Sequence, residues 1–97
     1  MKYRHLPQAI EKENISQIKF KEDFKFRDKE EKTKLNYLLH NAMVLGNISH
    51  GKVKIIFESN EGTKQVETTV WAATKNNIVL KGGVVIPIDC IMDVKLF

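Results

Sequence analysis

The chain has 97 residues, with sixteen Lys and Arg against twelve Asp and Glu for a net charge of +4, and one cysteine. That length predicts one domain with a modest core, burying roughly 60–65% of its unfolded surface. The single cysteine excludes an internal disulfide, and no apolar run approaches the ~20 residues of a membrane span. The opening Met1-Lys2-Tyr3-Arg4-His5 leads into Glu11, Lys12 and Glu13 without an apolar stretch. This predicts no secretory signal and a cytoplasmic setting. The first 34 residues hold ten bases and seven acids, so the positive charge is interleaved with its own neutralisation, and not gathered into the stripe that phosphate binding favours.

Residues 1–27 read as a charged N-terminal arm and 28–97 as the folded domain. The arm shows no steady period, yet Ile10, Ile15, Ile18, Phe20, Phe24 and Phe26 are spread through it. So many apolar side chains predict that the arm lies across the domain or against a second copy of the chain. Phe24-Lys25-Phe26 alternates like a short edge strand.

Asp28 and Glu31 have capping-box spacing, although Ser or Thr is the usual first member, and they predict a helix over about 29–45. Leu35, Leu38, Leu39 and Ala42 recur on one face, widened by Met43 and Leu45, while Lys32, Asn36 and His40 fall elsewhere. Glu30 and Lys34 stand in the favourable i,i+4 order. Gly46-Asn47 predicts the stop.

From Gly51 the period becomes two. Val53, Ile55 and Phe57 alternate with Lys52, Lys54 and Glu58, with Ile56 breaking the polar side. Ser59-Asn60-Glu61-Gly62 predicts a reversal. A second strand follows, with Val66, Thr68, Val70 and Ala72 inward and Glu67, Thr69 and Trp71 outward. Thr74–Asn77 is a further turn, Ile78–Leu80 a third strand, Gly82-Gly83 a tight reversal needing positive φ, and Val84–Ile86 a fourth strand. Pro87 limits ladder pairing. Ile88 and Ile91 are spaced for one helical turn around Asp89-Cys90, and a fifth strand runs from Met92 to Phe97.

Together these predict an α+β, mainly β fold: arm, amphipathic helix, then a five-stranded antiparallel barrel that closes to remove its edges. In its helix-first order, strand rhythm and Ile86-Pro87-Ile88-x-x-Ile91-x-x-Val94 ending, the stretch 35–97 resembles Sm-like and SH3-like small barrels, bacterial Sm-like RNA chaperones among them. The resemblance implies RNA held by an Asp/Asn-containing turn, which Asn76-Asn77 matches loosely, and by a basic-Gly pair between the last two strands. Here that last connection reads Ile88-Asp89-Cys90-Ile91, and Lys81-Gly82-Gly83 falls one connection earlier. The segment from Glu67 to Ile88 is also similar to small uncharacterised bacterial proteins.

The residues favour a non-enzymatic binding or assembly module that self-associates or meets a protein partner, with no membrane role and no cofactor. Candidate interface residues are Phe20, Phe24, Phe26, Trp71, Ile88 and Phe97. Trp71 is an indole on the outward side of its strand, and aromatic anchors are enriched at interfaces. The alternative is Sm-like RNA or DNA binding through Lys52, Lys54, Lys75, Asn76 and Lys81. A small enzyme using Cys90 as nucleophile, with Asp89 nearby and His40 or His50 as base, is the third reading, but no oxyanion-stabilising turn adjoins the thiol. His5, His40, His50 and Cys90 lack the paired spacing of zinc ligands. Gly82-Gly83 precedes a strand, and a phosphate cradle needs a helix N-terminus.

Overall fold

A computed structural model describes residues 7–20, 29–49 and 51–96. The predicted Asp28 cap, the Phe24–Phe26 strand, His5, His50 and Phe97 lie outside these residues. The described elements are β1 (Gln8–Ala9), a 3-10 helix over Lys12–Gln17, α1 (Lys29–Ser49), β2 (Val53–Ser59), β3 (Gly62–Thr68), β4 (Val70–Ala73), β5 (Asn77–Leu80), β6 (Val85–Pro87), a 3-10 turn over Ile88–Cys90, and β7 (Ile91–Leu96).

The class is α+β with strands predominating, but the strands form two sheets of order β1-β3-β2-β7 and β4-β5-β6 and not one five-stranded meander. The predicted second strand is cut at Thr69. Up to Thr68 the chain pairs with β2, and from Val70 it pairs with β5. Alternation continues through such a break, so sequence period alone does not reveal it. The first sheet is mixed, because β1 joins β3 in parallel.

Part of the N-terminal arm lies across the domain, one of the two placements its apolar residues predict. Its described part, 7–20, is built into the domain. Ile10 N–H donates to Gln65 O at 2.9 Å and Asn60 N–H donates to Lys19 O at 2.9 Å. Ile15 belongs to the buried core with Val53, Ile55, Phe57, Val66 and Val94. Phe20 is bridged to Ser59, and its ring stands 5.7 Å from that of Phe57 at a tilt of 55°. Of the predicted interface residues, Phe20 therefore finds cover within its own chain.

Helix α1 lays Leu35, Leu39 and Ala42 on the core as its periodicity requires, with Leu38, Met43 and Leu45 packed at the margin. It does not stop at Gly46-Asn47 but continues to Ser49. Gly46 serves packing: a Cβ there would lie 2.3 Å from Val70 O and 2.9 Å from Thr69 Cγ2, so the glycine lets the helix sit directly on β4.

The predicted turns hold. Gly62 has φ 110°, and Ser59 Oγ braces that hairpin by donating to Gly62 O at 2.8 Å and accepting from Glu61 N–H at 3.1 Å. Gly82 and Gly83 have φ 90° and 84°, a region other residues seldom enter. Lys64 is buried opposite Phe57; its ammonium donates to Gln8 Oε1 on β1 and lies 3.8 Å from Glu61 Oε1.

Candidate functional site

The β4-β5-β6 sheet is fixed by its ends. Lys81 N–H donates to Thr69 O at 2.9 Å, tying the end of β5 to the point where the chain changes sheets. At the other end Thr74 N–H donates to Asn77 O at 2.8 Å, while the Thr74 hydroxyl donates to the same oxygen and accepts from Asn77 N–H. Within this frame the register sets two rows across all three strands. Ala73, Ile78 and Ile86 form the row directed at the core, and Ala72, Val79 and Val85 form the row directed away from it.

An outward row on a solvated antiparallel sheet is ordinarily polar. Here it is aliphatic throughout. Beside it, Trp71 is the extra residue of a β-bulge between Val70 and Ala72. A bulge re-aims side chains, and this one turns Ala72 outward instead of into the core where strict alternation predicts it. Trp71 is 48% exposed and Val85 45%. The indole is outside as predicted, with Ala72, Val79 and Val85 as neighbours on that face. The sequence held a signal for these: Ile78-Val79-Leu80 and Val84-Val85-Ile86 are unbroken apolar runs, which mark strands with both faces in apolar surroundings.

The predicted nucleic-acid residues are dispersed. Lys52 and Lys81 share a groove of about 170 Å³ with Lys12, but Glu11, Glu13 and Glu67 line it too, so its charges balance. The Glu13 carboxyl is held below the ordinary glutamate range by the hydrogen bond it accepts from Lys12 Nζ at 2.8 Å. Lys54 stands across β2 from Glu67 on one side and Lys95 on the other. Lys75 lies elsewhere, in a groove of about 280 Å³ between α1 and the β4–β5 turn that also takes in Asn36, His40, Thr74 and Ile88. Asn76 is exposed in that turn, where its carbonyl accepts from Ile88 N–H at 2.9 Å. Ile88 itself is half-buried, packed against the core cluster.

Cys90 is buried in the core and does not line the groove that holds His40. Among the described residues no three His, Cys, Asp or Glu side chains are grouped to hold a metal ion, and no helix is long and apolar enough to cross a membrane. No family model, curated protein or solved structure matches the chain.

Proposed function

We propose that this chain is a non-catalytic assembly module that joins copies of itself through the outer face of the β4-β5-β6 sheet. The observation that carries the reading is the aliphatic row Ala72, Val79 and Val85 with half-exposed Trp71 beside it. Ala72 and Val79 are half-buried, so the open apolar surface is chiefly that of Trp71 and Val85; leaving it in water forgoes about 25 cal/mol for each Å² that a partner would cover, and tryptophan is among the residues enriched at the energetic centres of such contacts.

The face is a better candidate than the edges of β6 and β7. Among the described residues β6 and β7 each pair on one side only, but β6 has three residues and ends in Pro87, which has no N–H to offer. On β7 the Asp93 carboxylate accepts the Val94 N–H at 2.8 Å, placing a charge on the strand. Short length, proline and charge are features that discourage edge pairing.

The same reading includes an Sm-like small barrel. It is supported by the helix-first order, by passage from one sheet to the other at Thr69 without a turn, and by a 3-10 turn joining the last two strands. Sedimentation from micromolar to millimolar concentration tests assembly. The expected result is a reversible oligomer weakened by Val85→Asp and by Trp71→Ser; a strict monomer throughout overturns it. Single-stranded RNA is the competing occupant of Trp71. Binding that falls steeply with salt and is lost in Trp71→Ser would replace the assembly reading.

A further inference from the structure

The groove that Lys52 and Lys81 share with Lys12 carries no net charge, but its charges are sorted by sign. It is lined by Glu11, Lys12, Glu13, Lys52, Glu67, Thr68, Thr69 and Lys81, with no apolar residue among them. Its volume of about 170 Å³ equals that of about six waters in the liquid. β1 runs parallel to β3 with Gln8 beside Lys64 and Ala9 beside Gln65, and Glu11 is still extended, so the same register brings Glu11 alongside Glu67. Val53 pairs with Thr68, which brings Lys52 alongside Thr69. Lys81 N–H donates to Thr69 O at 2.9 Å, so Lys81 stands at Thr69 as well. One end of the groove is therefore acidic and the other basic, with the buried Thr68 and Thr69 at its base.

Lys12 and Glu13 pair with each other at 2.8 Å. The other four charges do not pair. Glu11, Glu67, Lys52 and Lys81 form no ion pair among the described residues, and Lys54, across β2 from Glu67, forms none with it. Two carboxylates set side by side repel, and so do two ammonium groups. We propose that this groove binds a small zwitterion, a free amino acid of a few carbons, with its carboxylate between Lys52 and Lys81 and its ammonium between Glu11 and Glu67. A simple anion would gain the lysines but meet the glutamates, and a simple cation the reverse; a molecule carrying both signs relieves both repulsions. Glu67 and Thr69 are two residues apart, about 7 Å in extended chain. An ammonium and a carboxylate on a short carbon chain bridge that span when each makes a charge-assisted hydrogen bond of about 2.8 Å. The purely polar lining offers nothing to a large apolar side chain, which selects a small amino acid. Because the contacts face solvent, binding is weak, in the millimolar range. The site goes beyond the assembly reading and does not rest on it.

The test titrates the isotope-labelled full chain with β-alanine at constant ionic strength and follows the amide NMR shifts of Glu67, Thr69 and Lys81. Saturable shifts in the millimolar range are expected, with acetate and methylammonium each giving less than a tenth of the response. Glu67→Gln and Lys81→Gln, both at exposed positions, are each expected to weaken binding at least fivefold with the thermal midpoint unchanged. Lys75→Gln, exposed and outside the groove, is expected to leave it as it is. Acetate shifting these amides as strongly as β-alanine overturns the proposal in favour of plain anion attraction to the lysines. So does a lack of saturation up to a tenth molar, or equal weakening by Lys75→Gln. A strict monomer that binds β-alanine upholds the groove and removes only the assembly reading.

Discussion

Gly46→Ala isolates the contact between α1 and β4. In a solvated helix interior this substitution stabilises by about 1 kcal/mol, because alanine is the better helix former. Gly46 is not solvated. The new methyl would stand 2.3 Å from Val70 O, 2.9 Å from Thr69 Cγ2 and 3.3 Å from Val70 C. Two of these atoms are backbone, in a strand whose register with Leu80 is fixed, so relief requires the helix to move away from the sheet and loosen Leu39 and Ala42. Overpacking of this kind costs about 1–3 kcal/mol; contacts this short lie at the upper end, and the propensity gain offsets about 1 kcal/mol. The net effect is a loss of about 1–2 kcal/mol, or roughly 5–15 °C in Tm for a domain of this size. Thermal unfolding by circular dichroism measures it. Asn47→Ala is the control: residue 47 is helical and exposed, so the variant should match or exceed the parent by at most about 0.7 kcal/mol. A Gly46→Ala protein as stable as the parent would refute the close approach. A clear loss in Asn47→Ala would show that the helix stops where Gly46-Asn47 suggests.

Three further outcomes follow from the packing. Ile15→Ala should cost about 2–5 kcal/mol, as for any large core side chain, since Ile15 is buried among the residues of β2 and β3; an unchanged denaturant midpoint would show that residues 7–20 do not belong to the core. Cys90 is buried, so its alkylation near neutral pH should be slow, confined to the fraction of molecules that have opened, and rapid reaction in the native state would revive thiol chemistry. The Glu13 carboxyl, held low by Lys12, should titrate by NMR below ordinary glutamates and return to their range in Lys12→Met. A depressed folded value contributes stability above the unfolded pKa and loses it as pH falls through the folded one. Because Glu13 is exposed the contribution is small, and a Lys12→Met titration identical to the parent would refute the pairing.

The local grammar of the fold is legible in the chain. The 3.6 period of Leu35, Leu39 and Ala42, the alternation from Val53 to Phe57, the Gly62 and Gly82-Gly83 turns and the helical turn before Ile91 each depend on neighbours a few residues away, and each is found where its pattern places it. Such features follow from backbone conformations that the residue types themselves prefer or forbid. The candidate surface was half legible: Trp71 reads as outward, but its companions Ala72, Val79 and Val85 do not announce which face they take.

Tertiary structure decided the rest, because each remaining feature depends on a neighbour far along the chain. Gly46 reads as a helix stop until β4 is set against it, and then the missing side chain becomes the condition for contact. The second strand reads as continuous until its two halves are given different partners at Thr69. Ile15 and Phe20 read as points on a charged arm until Phe57 and Ser59 supply the surface they lie on. A residue's preference for helix, strand or turn is its own; which partner it faces is determined only when distant segments compete for the same buried space.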